Sequence, residues 1–357
     1  MIKDKKELDK ICEAFLDNTM ELYDIPGVVI GLSIGDEYVF TGARGFKNYI
    51  TREPLSDDDI FHCASVSKLF TSMGIMTLVE DGLLGLDDRL ADILPELLIA
   101  DKRWKDIRLY QMLTHTSGLG DVEDYHWESP SLDDEALETY AASDEVRETP
   151  MLWEAGKGGF SYSNLAYELL GLIISKQTGM TYEAYMEKRL LKPAGMNSST
   201  FLTFERTGGS LELDVIDRTN MAMPHRKAED RSIVLEKHYP YNRQHAPSST
   251  LTSNAGDLLR WARANINKSI VSEETYDKIW KEYAVVPNNG EKMGLGWFMR
   301  QQEGCEFKGH EGTDDGFRAS FWMCSSPETA IVVLSNMSKA PVKKLSKKLF
   351  EAVIHHV

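Results

Sequence analysis

Residues 61–82 read FHCASVSKLFTSMGIMTLVEDG. Within them Ser65, Val66, Ser67 and Lys68 spell S-x-x-K at the predicted start of a buried helix. Leu69, Phe70, Met73, Met76 and Leu78 supply its apolar stripe, and Gly82 supplies a stop. At about 100° per residue, Ser65 and Lys68 project within about 60° of each other, one turn apart on one face. A serine hydroxyl is a weak nucleophile unless a base lies within hydrogen-bond reach. This spacing puts an amine there, and burial lowers a lysine pKa towards the neutral form that can act as a base. A chain this long holds roughly one S-x-x-K by chance, so the rest of the sequence decides the meaning.

Working outward, the N-terminal flank predicts an amphipathic helix over residues 3–22, with Leu8, Ile11, Phe15 and Leu22 on one side. Residues 28–34 and 38–40 flank Gly35-Asp36-Glu37 as a hairpin. Towards the C-terminus, residues 294–300, 317–324 and 329–335 read as three short strands. A last helix follows, with Val342, Leu345, Leu349 and Val353 on its apolar face and a solvated row of lysines opposite. The middle is mainly helical, most clearly over residues 167–178 with Gly179 as the stop. These elements predict an α+β fold: an antiparallel sheet built from both chain ends (1–64 and 283–357) and flanked by the terminal helices. A mainly helical lobe (65–282) is inserted between, with the active site at the junction. Residues 204–241 are polar and irregular and read as a surface excursion. Residues 121–148 carry eleven acids against one arginine, interleaved with Tyr125, Trp127, Leu132, Leu137 and Tyr140 as anchors. That segment reads as an acidic, partly helical cover.

The chain has 357 residues, 56 Asp and Glu against 40 Lys and Arg, and a net charge of −16. This balance opposes nucleic-acid and anionic-membrane binding, both of which need basic surface. The first fifteen residues lack the long apolar core of a signal peptide, and no run approaches a membrane span. Cys12, Cys63, Cys305 and Cys324 are scattered without C-x-x-C spacing and read as free thiols, so a cytoplasmic location is expected. Cys63 reads as a small buried apolar residue.

Two further motifs follow S-x-x-K in the order that a serine hydrolase needs. Tyr162-Ser163-Asn164 offers a phenol that can relay a proton and an amide that can bond a substrate carbonyl and a lysine. His310-Glu311-Gly312 lies between two predicted strands, where glycine lets substrate approach the backbone and the following N–H groups face an oxyanion.

Together, Ser65–Lys68, Tyr162–Asn164 and His310–Gly312 resemble the three motifs of the serine β-lactamase and penicillin-binding-protein-like family. The branch of class C β-lactamases, D-aminopeptidases and β-lactamase-like esterases is the most similar. The resemblance extends through Leu113-Thr114-His115-Thr116-Ser117-Gly118-Leu119, residues 162–196, Leu251-Thr252-Ser253 with Asp257, and Gly294-Leu295-Gly296-Trp297. It implies a β-lactamase/transpeptidase-like fold and an acyl-enzyme on Ser65, with Lys68 and Tyr162 as catalytic partners. Asn164 would position substrate, and the N–H groups of Ser65 and Thr313 would form the oxyanion hole beside His310 and Gly312. Which of Lys68 and Tyr162 takes the serine proton stays open. His115 is implied to be structural. No metal or organic cofactor is required.

The sequence departs from the family where β-lactamases resemble one another in K-[TS]-G, whose lysine helps hold a substrate carboxylate. Here that position is His310, with Glu311, Asp314 and Asp315 beside it. Three acids repel a carboxylate, so the expected substrate is a small ester, amide or peptide that is neutral or carries an amine. An acyltransferase, a β-lactamase or D,D-carboxypeptidase, and an idle scaffold binding a partner are the competing readings.

Overall fold

The alternation of apolar residues in the strand Gly27–Ile34 explains the layering of the molecule. Side chains along a strand point alternately to opposite faces, and here both faces are covered. In the computed structural model, which describes residues 4–121, 124–287 and 289–356, Val28, Ile30 and Leu32 enter one apolar core and Val29 enters another. Its neighbour, the strand Glu328–Ser335, does the same, sending Ile331 and Val333 one way and Val332 and Leu334 the other.

These two strands sit within a nine-stranded sheet whose neighbours are all antiparallel. In spatial order the strands are Glu53–Pro54, Tyr38–Asn48, Gly27–Ile34, Glu328–Ser335, Phe317–Ser325, Cys305–Asp314, Phe298–Gln302, Lys292–Met293 and Ala284–Val285. The helices Lys5–Leu22 and Val342–Val353 cover one face through Leu8, Cys12 and Leu16 and through Leu345, Leu349, Phe350 and Val353. Asp4 caps the first by accepting from the N–H groups of Lys6 and Glu7, satisfying donors that a helix start leaves open. The other face meets the helical part of the chain, led by Ser67–Glu80, Asn164–Thr178 and Ala255–Ile266.

The helix Ser67–Glu80 is apolar all round rather than striped, and twelve of its fourteen residues are buried; this pattern belongs to a helix enclosed on every side. Gly74 lets it approach Met186, which an added Cβ would meet at 2.5 Å. Phe70 stacks on Trp261 with centroids 4.1 Å apart. Ser163 caps the helix Asn164–Thr178, and Gly179, at φ 64°, ends it, the left-handed turn that glycine adopts without strain.

The structure corrects several sequence expectations. The strand Tyr38–Asn48 runs eight residues beyond Phe40, because its outer half alternates polar residues on a half-exposed edge and carries no apolar signal. The segment 294–297 is a turn and not a strand: Gly296, at φ 82°, packs against Ser72, and the strand starts at Phe298. His310-Glu311-Gly312 lies inside the strand Cys305–Asp314 rather than between strands. Residues 204–241 are more than a surface excursion. They form a hairpin, His225–Lys227 against Ile233–Leu235, and bury Met221, Met223, Tyr239 and Tyr241. Their apolar anchors are too widely spaced to show a period. No helix among the described residues is long and apolar enough to cross a membrane, and Cys12, Cys63, Cys305 and Cys324 are buried free thiols.

Truncating Phe70 removes a buried ring from the helix that carries Lys68. Phe70→Ala should therefore lower unfolding free energy by about 3–5 kcal/mol, read as a shift of the urea midpoint.

Candidate active site

Ser65 sits on a 3-10 turn, Ala64–Val66, and the α-helix proper starts at Ser67. This differs from the predicted helix start, and the turn has its own construction. The strand Phe61–His62 pairs with Thr252–Ser253, and the Cys63 N–H donates to Leu251 O at 2.8 Å. Ala64 takes φ 47°, a left-handed conformation. The Ser67 hydroxyl then donates to Ala64 O at 2.7 Å and accepts from the Leu251 N–H at 3.0 Å. A residue in a sparsely populated backbone region, fixed by bonds on both sides, marks a site whose geometry is over-determined.

Lys68 lies one turn on and is fully buried. Its Nζ donates to Asn164 Oδ1 at 2.6 Å, to Ser248 O at 2.9 Å and to Ser65 Oγ at 3.2 Å. It also stands over the rings of Tyr162 and Tyr167, 5.0 and 5.5 Å from their centroids. Burial lowers its pKa from 10.5 to about 8, opposed by Glu168, Asp121 and Asp314. Desolvation thus outweighs three carboxylates. Ser248 is a participant that the sequence did not reveal, since its contribution is a backbone carbonyl that no side-chain pattern signals.

Tyr162 lies across from the lysine. Its hydroxyl, buried with no well-formed hydrogen bond among the described residues, is pushed well above its usual 10 by burial, with Ser65 the neighbour that pulls it back. His115 stacks on its ring with centroids 4.3 Å apart. The His115 Nδ1 accepts from the Ser163 N–H at 3.2 Å, and burial drives its pKa well down. This neutral imidazole supports the tyrosine, in keeping with the structural role implied for it. Asn164 opens its helix, where its N–H and side-chain Nδ2 both donate to Asp121, the latter at 3.0 Å. The amide is thereby turned so that Oδ1 faces the lysine. A carboxylate at a helix N-terminus also suits the helix dipole.

The third motif crosses in front of the turn that carries Ser65. A Cβ at Gly312 would lie 2.2 Å from Cys63 O, so strand and turn meet backbone to backbone and only glycine permits it. Asp314 ties the two together: it pairs with His62 Nε2 at 2.7 Å and accepts from the Ser249 hydroxyl. His310 Nδ1–H donates to Glu311 O at 2.6 Å, and burial lowers its pKa to about 3. The imidazole is neutral, with Nε2 an acceptor that has no partner among the described residues. Glu311 accepts from Trp322 Nε1 at 2.7 Å and lies 3.7 Å from Arg300. The three acids expected beside His310 differ in their surroundings. Asp314 and Glu311 are tied to neighbours, and Asp315 does not line the cleft.

That cleft, about 460 Å³, joins Ser65, Tyr162, Asn164, His310 and Thr313 to an aromatic wall of Tyr125, Phe160, Phe298 and Trp322. Glu291 and Glu311 line its far end, where Lys343 pairs with Glu291 at 2.8 Å. Tyr125 comes from the acidic cover, whose helices Ala136–Ala141 and Asp144–Glu148 make it partly helical as expected. Glu123 of that cover lies outside the described residues. Asp124, His126 and Glu128 converge with metal-ligand spacing, but they face outward and none lines the cleft.

A serine on a tight turn, a buried lysine, a tyrosine and a strand edge around one aromatic cleft define a protein of the β-lactamase and penicillin-binding-protein type. The chain belongs to the Beta-lactamase family, whose model matches residues 12–354. It is 25% identical over 355 residues to penicillin-binding protein 4* of Bacillus subtilis (strain 168), covering 93% of this chain and 72% of that protein. The octameric penicillin-binding protein homologue from Pyrococcus abyssi superposes with a TM-score of 0.79 at 25% identity, over 99% of this chain and 77% of that one. The D-amino acid amidase from Ochrobactrum anthropi SV3 gives 0.80 at 19% identity, over 98% and 99%. The antiparallel sheet with helical lobe is thus the β-lactamase/transpeptidase-like fold.

The Lys68 amine should titrate near pH 8, about two units below solvated lysines. NMR of lysine labelled at Cε, with Lys68→Arg to assign the signal, reads this directly. A midpoint above 10 would show that the three carboxylates outweigh burial.

Proposed function

We propose that this protein is a serine hydrolase that forms an acyl-enzyme on Ser65. The observation that carries the reading is the Lys68 amine, 3.2 Å from Ser65 Oγ and held by two other oxygens, with burial bringing its pKa to about 8. A neutral amine has two N–H bonds and one lone pair. Donation to Asn164 and Ser248 uses both N–H bonds and leaves the lone pair for the serine proton. Tyr162, pushed well above 10, stays a phenol at neutral pH, so the proton balance favours Lys68 as the base and Tyr162 as the donor to the leaving group.

As the Oγ–carbon bond forms, the serine proton passes to Lys68. The carbonyl electron pair moves onto oxygen, between the N–H groups of Ser65 and Thr313. Collapse expels the amine or alcohol, which takes its proton through Tyr162, and water then cleaves the acyl-serine by the reverse sequence. Pre-aimed donors of this kind supply about 3–4 kcal/mol of transition-state stabilisation.

Neutral His310 offers no cation to a substrate carboxylate, and the charge of Lys343 is offset by Glu291. Glu311 lines the aromatic cleft; burial raises its pKa, and its Oε2, with no partner among the described residues, is an acceptor for a substrate N–H. These features favour a small ester, or an amide bearing an aromatic side chain and an amine. Amides of D-amino acids fit this description, the substrate class named for the amidase that shares the fold.

A fluorophosphonate should label the purified protein at Ser65, with labelling abolished in Ser65→Ala and slowed by about 10²–10⁴-fold in Lys68→Ala. Because only the neutral lysine is a base, the wild-type rate should rise about tenfold per pH unit below 8 and level above it. Absent labelling would sink the hydrolase. A chromogenic cephalosporin turned over with higher kcat/KM than nitrophenyl esters and D-phenylalanine amide would sink the substrate assignment.

A further inference from the structure

Directly behind Lys68 lies a carboxylate that the mechanism above does not use. Glu168 is one turn along the helix Asn164–Thr178 from Asn164, and its side chain is 1% exposed. Its Oε1 accepts from the Ser248 hydroxyl at 2.6 Å and lies 3.1 Å from His245 Nδ1. Its Oε2 is buried with no partner among the described residues. A buried acid is costly unless bonded, so its retention here calls for a reason.

The reason lies in Ser248. One atom of that residue, the hydroxyl, is held by Glu168; another, the carbonyl oxygen, receives the Lys68 amine at 2.9 Å. The residue sits in the short helix Ala246–Ser249, wedged against Gly171, whose added Cβ would meet Pro247 at 2.0 Å. Pro247 O is also taken, by the Thr71 hydroxyl of the lysine's own helix. Glu168 thus fixes the carbonyl that takes one of the two amine hydrogens, and by doing so it fixes where the lone pair points.

We propose that Glu168 is a positioning residue for the Lys68 base, aiming the amine at Ser65 through Ser248 and acting on it electrostatically from behind that residue. The second part has a defined sign. Among the acids facing Lys68, Glu168 ranks ahead of Asp121 and Asp314 in raising its pKa. His115 and His310 are the cationic-capable groups near it, both held neutral by burial, and Asn164, Tyr162 and Tyr167 complete its surroundings. Burial raises the pKa of Glu168 itself, against the opposing pull of His245, Ser248 and Lys68, and the phenols of Tyr125, Tyr140 and Tyr182 stand near it, their protons retained in part by its charge. Without Glu168 the lysine would lose its proton at lower pH.

The proposal rests on the acyl-serine reading, and two variants of the full chain separate its parts. Glu168→Gln keeps an acceptor for Ser248 and removes the charge. It should move the acid limb of the fluorophosphonate rate towards lower pH by about one unit. Ser248→Ala keeps the charge and frees the carbonyl, and should slow labelling about tenfold at every pH with the limb in place. A merely structural Glu168 would instead lower Tm and the labelled fraction without moving the limb. An unmoved limb in folded Glu168→Gln overturns the electrostatic part, and Ser248→Ala within twofold of wild type overturns the aiming part. Should Glu168→Gln fail to fold, Glu168→Ala is read for the same movement of the limb, and Ser248→Ala decides the aiming part. A wild-type protein that does not label sinks the hydrolase reading, whereas a reactive wild type with unaltered variants sinks only this one.

Discussion

A primary amine removed from water governs this structure. Burying an ammonium costs several kcal/mol even after relaxation. The chain meets that cost with three oxygen acceptors drawn from three distant segments, Ser65, Asn164 and Ser248. None of the three is a carboxylate. An acid in direct contact would have locked the lysine into its charged form. The carboxylates stand one bond further out, Asp121 behind Asn164 and Glu168 behind Ser248. Each orients the group that touches the amine and tempers the effect of burial from a distance.

Bringing those segments together requires the two halves of the molecule to meet with little tolerance. The helix carrying Lys68 is enclosed on every side, so it cannot slide to accommodate an error. The strand carrying Gly312 rests on the carbonyl of Cys63, with no side chain between them. Asp314 then joins that strand to His62, just ahead of the turn that carries Ser65, and to Ser249. Backbone contact and these hydrogen bonds therefore set the separation between Ser65 and Thr313, the two residues whose N–H groups would receive the oxyanion. The sheet's two cores make the frame rigid: each central strand is anchored on both faces, and shifting one by a residue would exchange its two apolar sets.

What was legible in the sequence follows from this division of labour. Side-chain chemistry at short spacing was visible: Ser65 with Lys68 three residues on, and Tyr162 with Asn164 two residues on at the entry to a strong helix. Apolar strands were visible where both faces are buried, as in Gly27–Ile34 and Glu328–Ser335. The strand Cys305–Asp314 was not, because its second half, His310-Glu311-Gly312-Thr313-Asp314, is polar for the sake of the cleft and lacks the apolar run that marks a central strand. Ser248 was hidden because it acts through its carbonyl. His62 and Asp314 are 252 residues apart, and pairs of that separation leave no trace in a single sequence. Glu168 was not singled out because a lone acid within the apolar run of residues 165–174 carries no pattern of its own, yet its side chain is 1% exposed.

The replacement of a third-motif lysine by His310 has two electrostatic consequences that pull together. A lysine there would place a permanent cation near Lys68 and lower its proton affinity further, by the same charge repulsion through which Lys68 depresses His310. With the imidazole neutral, burial alone lowers Lys68, and Glu168, Asp121 and Asp314 oppose it. The balance leaves the amine near 8, partly protonated at neutral pH. The same neutrality deprives the cleft of an anchor for a substrate carboxylate, while Glu311 and the Glu291–Lys343 pair leave its far end without net positive charge. A site with one buried amine and no second cation beside it depends on that amine becoming neither too acidic nor too basic. The carboxylates standing behind Asn164 and Ser248 are where this chain makes that adjustment.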